Sequence, residues 1–437
     1  MSTSVSFEDA LARIGAGPFQ RRLLLVFGLV WAADAMQVLS VGFAAPSLAA
    51  EFGLSVPQAL QVGTAFFAGM LVGASLFGRL ADRIGRRRVL FLTIAIDALF
   101  GLASAFAPDF AWLLAFRFLT GLGVGGTLPV DYALMAEFLP AKGRGRWLVA
   151  LEGFWALGTI ALALAALAAP RLSDGPAWRT IFLLTALPAL VGLAARFFVP
   201  ESPLYLLRRG REREARAVLE RLARINRYQG ELPAVAPAPR TAAGGSILGP
   251  DLRRRTLLIL LVWLLVSMSY YGVFVWLPVK LAAQGFGFLR GELFLLVVAL
   301  AQLPGYALAA YGVERWGRRP TLAGFLVLSA AGCLLYGLDP SAALVAASTL
   351  LMSFALLGTW GALYAWTPEL YPTHLRATGM GAAGAVARLG GLLAPSLLAP
   401  LAAQSFAGAL GLYAAFLVAA AVAALSLKAE TRGAALG

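Results

Sequence analysis

The chain has 437 residues, 60% of them hydrophobic and 13% charged, and a mean hydropathy of +0.79. Soluble domains carry about 25% charged residues, so the composition excludes a water-soluble enzyme and specifies a polytopic membrane protein. The formal net charge of +14 then belongs to loops that face an anionic leaflet, not to a nucleic-acid partner, and the single Cys333, in an apolar run, excludes an internal disulfide.

In chain order, Glu8 and Asp9 precede the first apolar run and no small-residue cleavage site follows a short core. Residues 1–21 are therefore expected to remain as a cytoplasmic segment and not to be a cleaved signal. Within it, Phe7 to Ile14 is patterned as a brief amphipathic helix, stopped by Gly15-Ala16-Gly17-Pro18. Spans of membrane length follow at roughly 22–46, 57–79, 88–107, 111–136, 145–169 and 178–199. A second series lies at roughly 255–279, 291–313, 320–338, 341–366, 376–400 and 406–427. The expectation is an all-α polytopic membrane protein of twelve transmembrane helices, with six-helix bundles at 22–199 and 255–427 and a tail at 428–437. An even number of spans puts both termini in the cytoplasm of a cell-membrane protein.

Between the bundles, residues 200–254 form a basic cytoplasmic linker, too long and too polar for a tight turn. Val218, Leu219, Leu222 and Ile225 recur there at helical spacing among arginines, which reads as a helix on the membrane surface. Pro and Gly in 233–250 predict a flexible connection.

A short basic turn, Gly78 to Leu90, joins the second and third spans and carries Arg79, Arg83, Arg86, Arg87 and Arg88 with one acid, Asp82. Basic residues in short loops resist translocation, so this turn marks the cytoplasmic face. Glu51, Asp109, Asp174, Lys280, Arg290 and Asp339 then fall outside. The pattern returns as Val313-Glu314-Arg315-Trp316-Gly317-Arg318-Arg319-Pro320, with Gly85 and Gly317 232 residues apart. The same offset relates Pro46 to Pro278, Pro108 to Pro340, Gly126-Thr127 to Gly358-Thr359, and Glu137, Pro140 and Arg144 to Glu369, Pro372 and Arg376. Matches in one order predict two halves related by internal duplication. Gly78, Asp82, Arg83, Gly85, Arg86, Arg87, Glu137 and Arg144, with Glu314, Arg315, Gly317, Arg318, Glu369 and Arg376, are expected to gate the cytoplasmic side through charge-assisted bonds to helix ends.

Over its whole length the chain resembles a major facilitator superfamily transporter. Gly78-Arg79-Leu80-Ala81-Asp82-Arg83-Ile84-Gly85-Arg86-Arg87 is similar to that superfamily's signature between helices 2 and 3. Pro200-Glu201-Ser202-Pro203, and Glu369-Leu370-Tyr371-Pro372 with Arg376, resemble its sugar-porter and organic-ion branches. More narrowly, Ile14-Gly15 with Phe19-Gln20, Asp34-Ala35-Met36, and Arg146-Trp147-Leu148-Val149 leading to Glu152 resemble bacterial niacin-type metabolite symporters. Gln37 departs from that branch, which often carries a second acid there. The resemblance implies a cavity lined by the first, fourth, seventh and tenth spans.

Charges inside a membrane are costly and are candidates for function by default. Asp34, about eleven residues into the first span, sits ~16 Å above the cytoplasmic edge. Arg117, entering the fourth span from outside, sits ~21 Å above that edge in a ~30 Å core. The two are expected to pair, with proton uptake by Asp34 releasing Arg117; a static pair is the alternative. The sugar porters that the chain resembles couple protons through an acid and an arginine on these two helices. Arg388 lies near mid-membrane in the eleventh span, flanked by Gly384, Gly390 and Gly391. It needs an anion: a substrate, as in the organic-anion carriers it resembles, or else Glu152 or Asp34 across the halves. Glu152 stands where sugar porters have a substrate-binding glutamine, so it binds substrate, shares the proton or pairs with an arginine. Asp97 reads as a packing hydrogen bond.

Trp31, Gln37, Tyr270, Tyr271, Trp360 and Tyr364 join Glu152 and Arg388 as expected substrate-binding residues, their rings suited to an aromatic or planar ligand. Trp276 and Trp366 fit an interfacial belt better. Sugar is disfavoured: the one asparagine, Asn226, falls in a loop, and the seventh span offers Ser267 and Ser269. Gly121-Leu122-Gly123-Val124-Gly125-Gly126 matches a dinucleotide fingerprint in letters only, since no strand precedes it; Gly121 and Gly125 read as a close-packing pair. No phosphate-binding loop occurs, so nucleotide hydrolysis is not the energy source, and no cofactor or metal is implied. His374, beside Arg376, reads as solvated. The sequence thus describes a monomeric secondary transporter and not an enzyme: a proton-coupled symporter of a small organic anion of the nicotinate kind, with protons and membrane lipid as its other partners. A drug or metabolite antiporter or a sugar-type symporter is the alternative, although the fifth span lacks the Gly-Pro pair of antiporters. A non-transporting sensor would not need buried charges in both halves.

Overall fold

The computed structural model describes residues 5–172, 175–194, 198–235, 245–283, 292–338 and 341–433; apart from turns and one isolated bridge between Val5 and Val235, these are helical. Asp174, Arg290, Asp339, the side chains of Trp276 and Lys280, and half of the expected flexible connection at 233–250 lie outside the described residues. The chain opens with α1 (Phe7–Ile14), started by Ser6, whose hydroxyl accepts from the Asp9 N–H. It continues through α2 (Pro18–Phe52), α3 (Val56–Ala59), α4 (Gln61–Ile84), α5 (Arg86–Ala105) and α6 (Phe110–Glu137). Next come α7 (Arg144–Glu152), α8 (Phe154–Leu172) and α9 (Ala177–Ala194), then the short α10 (Pro203–Arg208) and α11 (Glu212–Ile225). The remainder comprises α12 (Pro250–Ala283), α13 (Glu292–Leu300), α14 (Gln302–Arg315), α15 (Arg318–Tyr336), α16 (Ala342–Trp366), α17 (Arg376–Gln404) and α18 (Phe406–Ser426).

Among the described residues, ten helical stretches are long and apolar enough to cross a membrane. The helix α2, with 35 residues, runs about 52 Å at 1.5 Å per residue, well beyond a ~30 Å hydrocarbon core. Two expected spans fall outside the ten: α9, whose apolar part Ala177–Leu190 is shorter, and α17. No water is available to backbone or hydroxyl groups in such a core, and the hydroxyls turn back onto their own helices. Thr120 donates to the Phe116 carbonyl at 2.7 Å, Ser267 to Trp263 at 2.6 Å and Thr349 to Val345 at 2.7 Å.

Helix contact is closest where side chains vanish. A methyl group on Gly121 would stand 2.0 Å from the Phe66 carbonyl oxygen, and one on Gly125 2.2 Å from that of Met70. So α6 lies directly on α4, and the glycine run is a packing surface. Likewise α4 meets α17 backbone to backbone: a methyl on Gly78 would stand 2.6 Å from the Ala377 oxygen, and one on Gly381 2.5 Å from that of Ala74.

Two expectations are corrected here. The apolar face of α11 does not lie on lipid: Ala215, Leu219 and Leu222 are buried in the same core cluster as Phe7 and Leu11 of α1 and Phe19 of α2. Asn226, just past α11, accepts from the Phe19 N–H at 2.9 Å and donates to the Gly15 carbonyl at 2.9 Å. An amphipathic face is satisfied by any apolar surface, and the end of the bundle supplies one. Trp366 is fully buried at the end of α16, so it is interior packing and not a belt residue.

Replacing Gly121 by Val should drive α6 off α4. Overpacking of this kind costs about 1–3 kcal/mol, read as a lower unfolding midpoint of the purified protein in detergent.

Candidate functional site

One end of the bundle collects the charged turns. Asp82 accepts from the N–H and hydroxyl of Thr378 at 2.8 and 2.7 Å and pairs with Arg86 at 2.8 Å. Arg86 also donates to the Thr373 carbonyl at 2.7 Å, tying the α4–α5 turn to the start of α17. Glu137 pairs with Arg376 at 2.9 Å and Arg86 at 3.6 Å, and accepts from the Ser202 hydroxyl. The other turn repeats the arrangement: Glu314 accepts from the Arg146 N–H at 3.2 Å, and Arg318 pairs with Glu314 at 3.4 Å and Glu369 at 3.0 Å. Residues 82 and 378 correspond to 314 and 146 at the 232-residue offset, so the same bond is made twice. Arg144 and Arg376 likewise both donate to carbonyls at matching positions, Leu139 at 3.2 Å and Tyr371 at 3.3 Å. Both turns pivot on glycine, Gly85 at φ +108° and Gly317 at φ +104°, where a side chain would strain the backbone.

The remaining residues of these turns act more locally. Arg87 points its N–H at Glu201 at 3.3 Å and lays its guanidinium over Phe91. The side chains of Arg83 and Arg315 are exposed, and their carbonyls accept from Tyr205 and Arg432. Glu8 of α1 reaches Arg144 at 2.8 Å. His374 is not freely solvated: it is half-buried with Nδ1 3.1 Å from Arg208. Burial, then Arg208, Arg376 and Arg86, pushes its imidazole below the usual histidine range, because each disfavours the cation.

Inside the bundle, Trp31, Glu152, Trp155, Tyr270, Tyr271, Leu357, Trp360, Tyr364 and Arg388 enclose one cavity. It has about 20 Å³ of free room, one or two waters' worth. Glu152 arrives at the end of α7, where the helix is interrupted at Gly153. The hydroxyl of Tyr132 donates to its Oε2 at 2.5 Å, and that of Tyr306 to its Oε1 at 3.5 Å. Arg388 comes from α17 and is bonded by Tyr364; its Nε has no partner. The glycines beside it let α12 in, since a methyl on Gly390 would stand 2.8 Å from Ser267 Cβ. Among the described residues Glu152 and Arg388 make no ion pair with each other, although each lies in the other's field. The aromatic walls interlock edge to face: Trp31 with Tyr132 at 5.3 Å and Tyr364 at 5.4 Å, Trp263 with Tyr364 at 4.7 Å and Trp360 at 5.3 Å.

The expected pair of Asp34 and Arg117 does not form. Arg117 donates to Gln37 Oε1 at 2.6 Å and to the Gln37 carbonyl at 2.7 Å, with Phe66 and Phe182 rings against its guanidinium. Neither oxygen of Asp34 has a hydrogen-bond partner. The two heights differ by about 5 Å, and Gln37, three residues further along the same face of the helix and so about 4.5 Å higher, stands at the level of Arg117 and takes it. Gln37 therefore serves this arginine and does not line the cavity. Asp97 is not a packing hydrogen bond in full, because its Oδ1 is unpartnered, and it is the acid whose field reaches Arg117.

Sequence reasoning passed over Tyr132, Tyr306, Trp155 and Asp131. Asp131, fully buried in α6, accepts from the Tyr132 N–H at 2.7 Å and has an unpartnered Oδ2. The rule that selected Asp34, an acid within a span, selects it too. The offset would have found two more: it relates Trp31 to Trp263 and Tyr132 to Tyr364, all four packed around the cavity.

Helices of membrane length around a buried aromatic cavity, held together at one end by paired charged turns, are the anatomy of a membrane transporter and not of an enzyme. The chain belongs to the Major Facilitator Superfamily, whose profile matches residues 23–395 and again 292–433. It is 38% identical to "Niacin transporter NiaP" of Acinetobacter baylyi over 95% of both chains. It is also 38% identical to "Putative niacin/nicotinamide transporter NiaP" of Bacillus subtilis, over 88% of this chain and 89% of that one. Among solved structures it is similar to the proton:xylose symporter XylE of E. coli, with a TM-score of 0.79 and 20% identity over 96% of this chain and 98% of that one. That likeness carries the fold alone.

Gln37→Ala removes the shorter of the two side-chain acceptors of the buried Arg117, at 2.6 Å against 3.4 Å for the Ser40 hydroxyl, and should cost about 1.5–3 kcal/mol, the range for a hydrogen bond to a charge. Asp34→Asn, which breaks no hydrogen bond, should leave the unfolding midpoint unchanged or raise it. The two variants, melted side by side, check the reassignment.

Proposed function

We propose that this chain is a secondary active symporter that carries a small organic anion of the nicotinate kind together with a proton. The observation that carries the reading is Arg388, a guanidinium with an open Nε on the wall of an aromatic cavity and no ion-pair partner within the described residues. An arginine in low dielectric holds a carboxylate strongly and through two parallel bonds, and flat rings suit a planar ligand. The relatives named as niacin transporters agree with that ligand class. Among the described residues no amide lines the cavity, which argues against a hydroxyl-rich sugar. Buried acids, Glu152 at the cavity and Asp34, Asp97 and Asp131 around it, are groups able to take up a proton, and Arg117 fixes the helices on which Asp34 and Asp97 stand.

Access is read as alternating. The repeated bonds at 82–378 and 314–146 support two halves related by duplication, twelve spans in all, with a pseudo-twofold through the cavity. The basic turns favour a cytoplasmic location for the end they join and for both termini, against anionic lipid, and the unit is read as a monomer. A cavity of about 20 Å³ admits no ring, so loading requires the halves to rock apart. The gate residues Asp82, Arg86, Glu137 and Arg376 join the halves, and parting them opens the cytoplasmic side.

Arg388→Ala should abolish binding of nicotinate, and Arg388→Lys, which keeps the charge but loses the planar fork, should weaken it by tenfold or more. The check is binding of nicotinate beside nicotinamide to the purified protein. Equal affinity for the neutral amide, unchanged in Arg388→Ala, would make Arg388 a structural residue and end the anion reading.

A further inference from the structure

The cavity is dipolar, and its two poles come from different halves at positions that the duplication does not share. At the 232-residue offset, Glu152 corresponds to Gly384 and Arg388 to Ala156. The aromatic frame is common to both halves, whereas each pole is present once. Each pole is also held by phenols: Glu152 by the hydroxyls of Tyr132 and Tyr306, which lie off the cavity wall, and Arg388 by Tyr364, which stands on it. Among the described residues, and apart from tyrosine hydroxyls and indole N–H groups, they are the only polar side chains on the cavity wall. A flat carboxylate seated on Arg388 therefore presents its far edge toward Glu152.

Resting on the anion reading above, we propose that Glu152, as the neutral acid, donates its proton to an sp² ring nitrogen of the ligand, and so both selects a heteroaromatic carboxylate and holds the transported proton. A carbocyclic ring offers only a C–H at that edge and leaves the acid unpaired, which costs affinity in a buried site. Charge counting gives the coupling. Empty, Glu152⁻ and Arg388⁺ sum to zero; loaded, neutral Glu152, the carboxylate and Arg388⁺ again sum to zero. With anion alone the cavity is −1, and with proton alone +1, and a net charge in a desolvated core costs several kcal/mol. Only the empty and fully loaded forms cross readily, one proton per anion. The proton either stays on Glu152 in an O–H···N bond or passes to the nitrogen, and the balance is the same.

The titratable groups around Glu152 are Asp131 and Tyr132 of α6, Tyr270 and Tyr271 of α12, Tyr306 of α14, Tyr364 of α16 and Arg388 of α17. Of the two carboxylic acids in that set, Glu152 lines the cavity and Asp131 does not. That leaves Glu152 as the acid a ligand can touch.

The test measures binding of nicotinate and benzoate to the full-length purified protein by calorimetry, from acid to mildly alkaline pH. The wild type should prefer nicotinate at least tenfold and lose nicotinate affinity as pH rises. Glu152→Gln, whose amide still donates to the nitrogen, should keep the preference but lose the pH dependence. In proteoliposomes it should exchange nicotinate without accumulating it against a gradient. Glu152→Ala should bind both acids alike. Equal binding of the two acids by the wild type, or a preference that survives in Glu152→Ala, overturns the assignment while leaving the anion reading intact. Failure of both acids to bind overturns the two together.

Discussion

A guanidinium and a carboxylate face one cavity in the interior of this bundle without closing on each other. Water would solvate either cheaply; a membrane interior does not, and the cost of an isolated charge there is several kcal/mol. Everything around Glu152 and Arg388 addresses that cost. Tyr132 and Tyr306 hold one, Tyr364 the other, and the interlocked rings of Trp31, Trp263 and Trp360 exclude solvent while leaving a gap between the poles. Two charges kept apart in each other's field are a demand for a ligand that is polar at both ends.

Close backbone contacts hold the bundle around those charges. The helices α4 and α6 touch through glycines within the first series of helices, and α4 and α17 do so between the first series and the second. The charged turns lie at one end of these helices and join the two series through Asp82 with Thr378, Arg86 with the Thr373 carbonyl, Glu137 with Arg376, and Glu314 with Arg146. These bonds are directional and sit at helix ends, and on the reading proposed above they bias which conformation is populated. The N-terminal α1 adds Glu8 to Arg144, so the segment ahead of the first spanning helix is part of the same assembly.

Much of this was legible in the sequence, for physical reasons that differ by element. Helices of membrane length announce themselves through hydropathy, and the charged turns through the repetition of Gly85 and Asp82 as Gly317 and Glu314. Arg388, Glu152, Trp31, Tyr270, Tyr271, Trp360 and Tyr364 were singled out as charges or rings inside spans, and they do meet at one cavity. What failed was depth. Asp34 was allowed to reach across about 5 Å of height to Arg117, whereas Gln37, on the same face and about 4.5 Å higher, is already level with that arginine. The apolar face of α11 was readable and its partner was not, because lipid and protein present equally apolar surfaces. Tyr132 and Tyr306 carried no charge to draw attention, and Asp131 was missed although its charge did.

The central claim, a neutral cavity in both legs of the cycle, is tested most directly by uptake into proteoliposomes. Labelled nicotinate would be offered with an imposed proton gradient at zero membrane potential, and separately with an imposed potential at equal pH on both sides. Accumulation driven by the proton gradient and indifferent to the potential is expected. Accumulation driven by the potential alone, or uptake blind to the proton gradient, would contradict it.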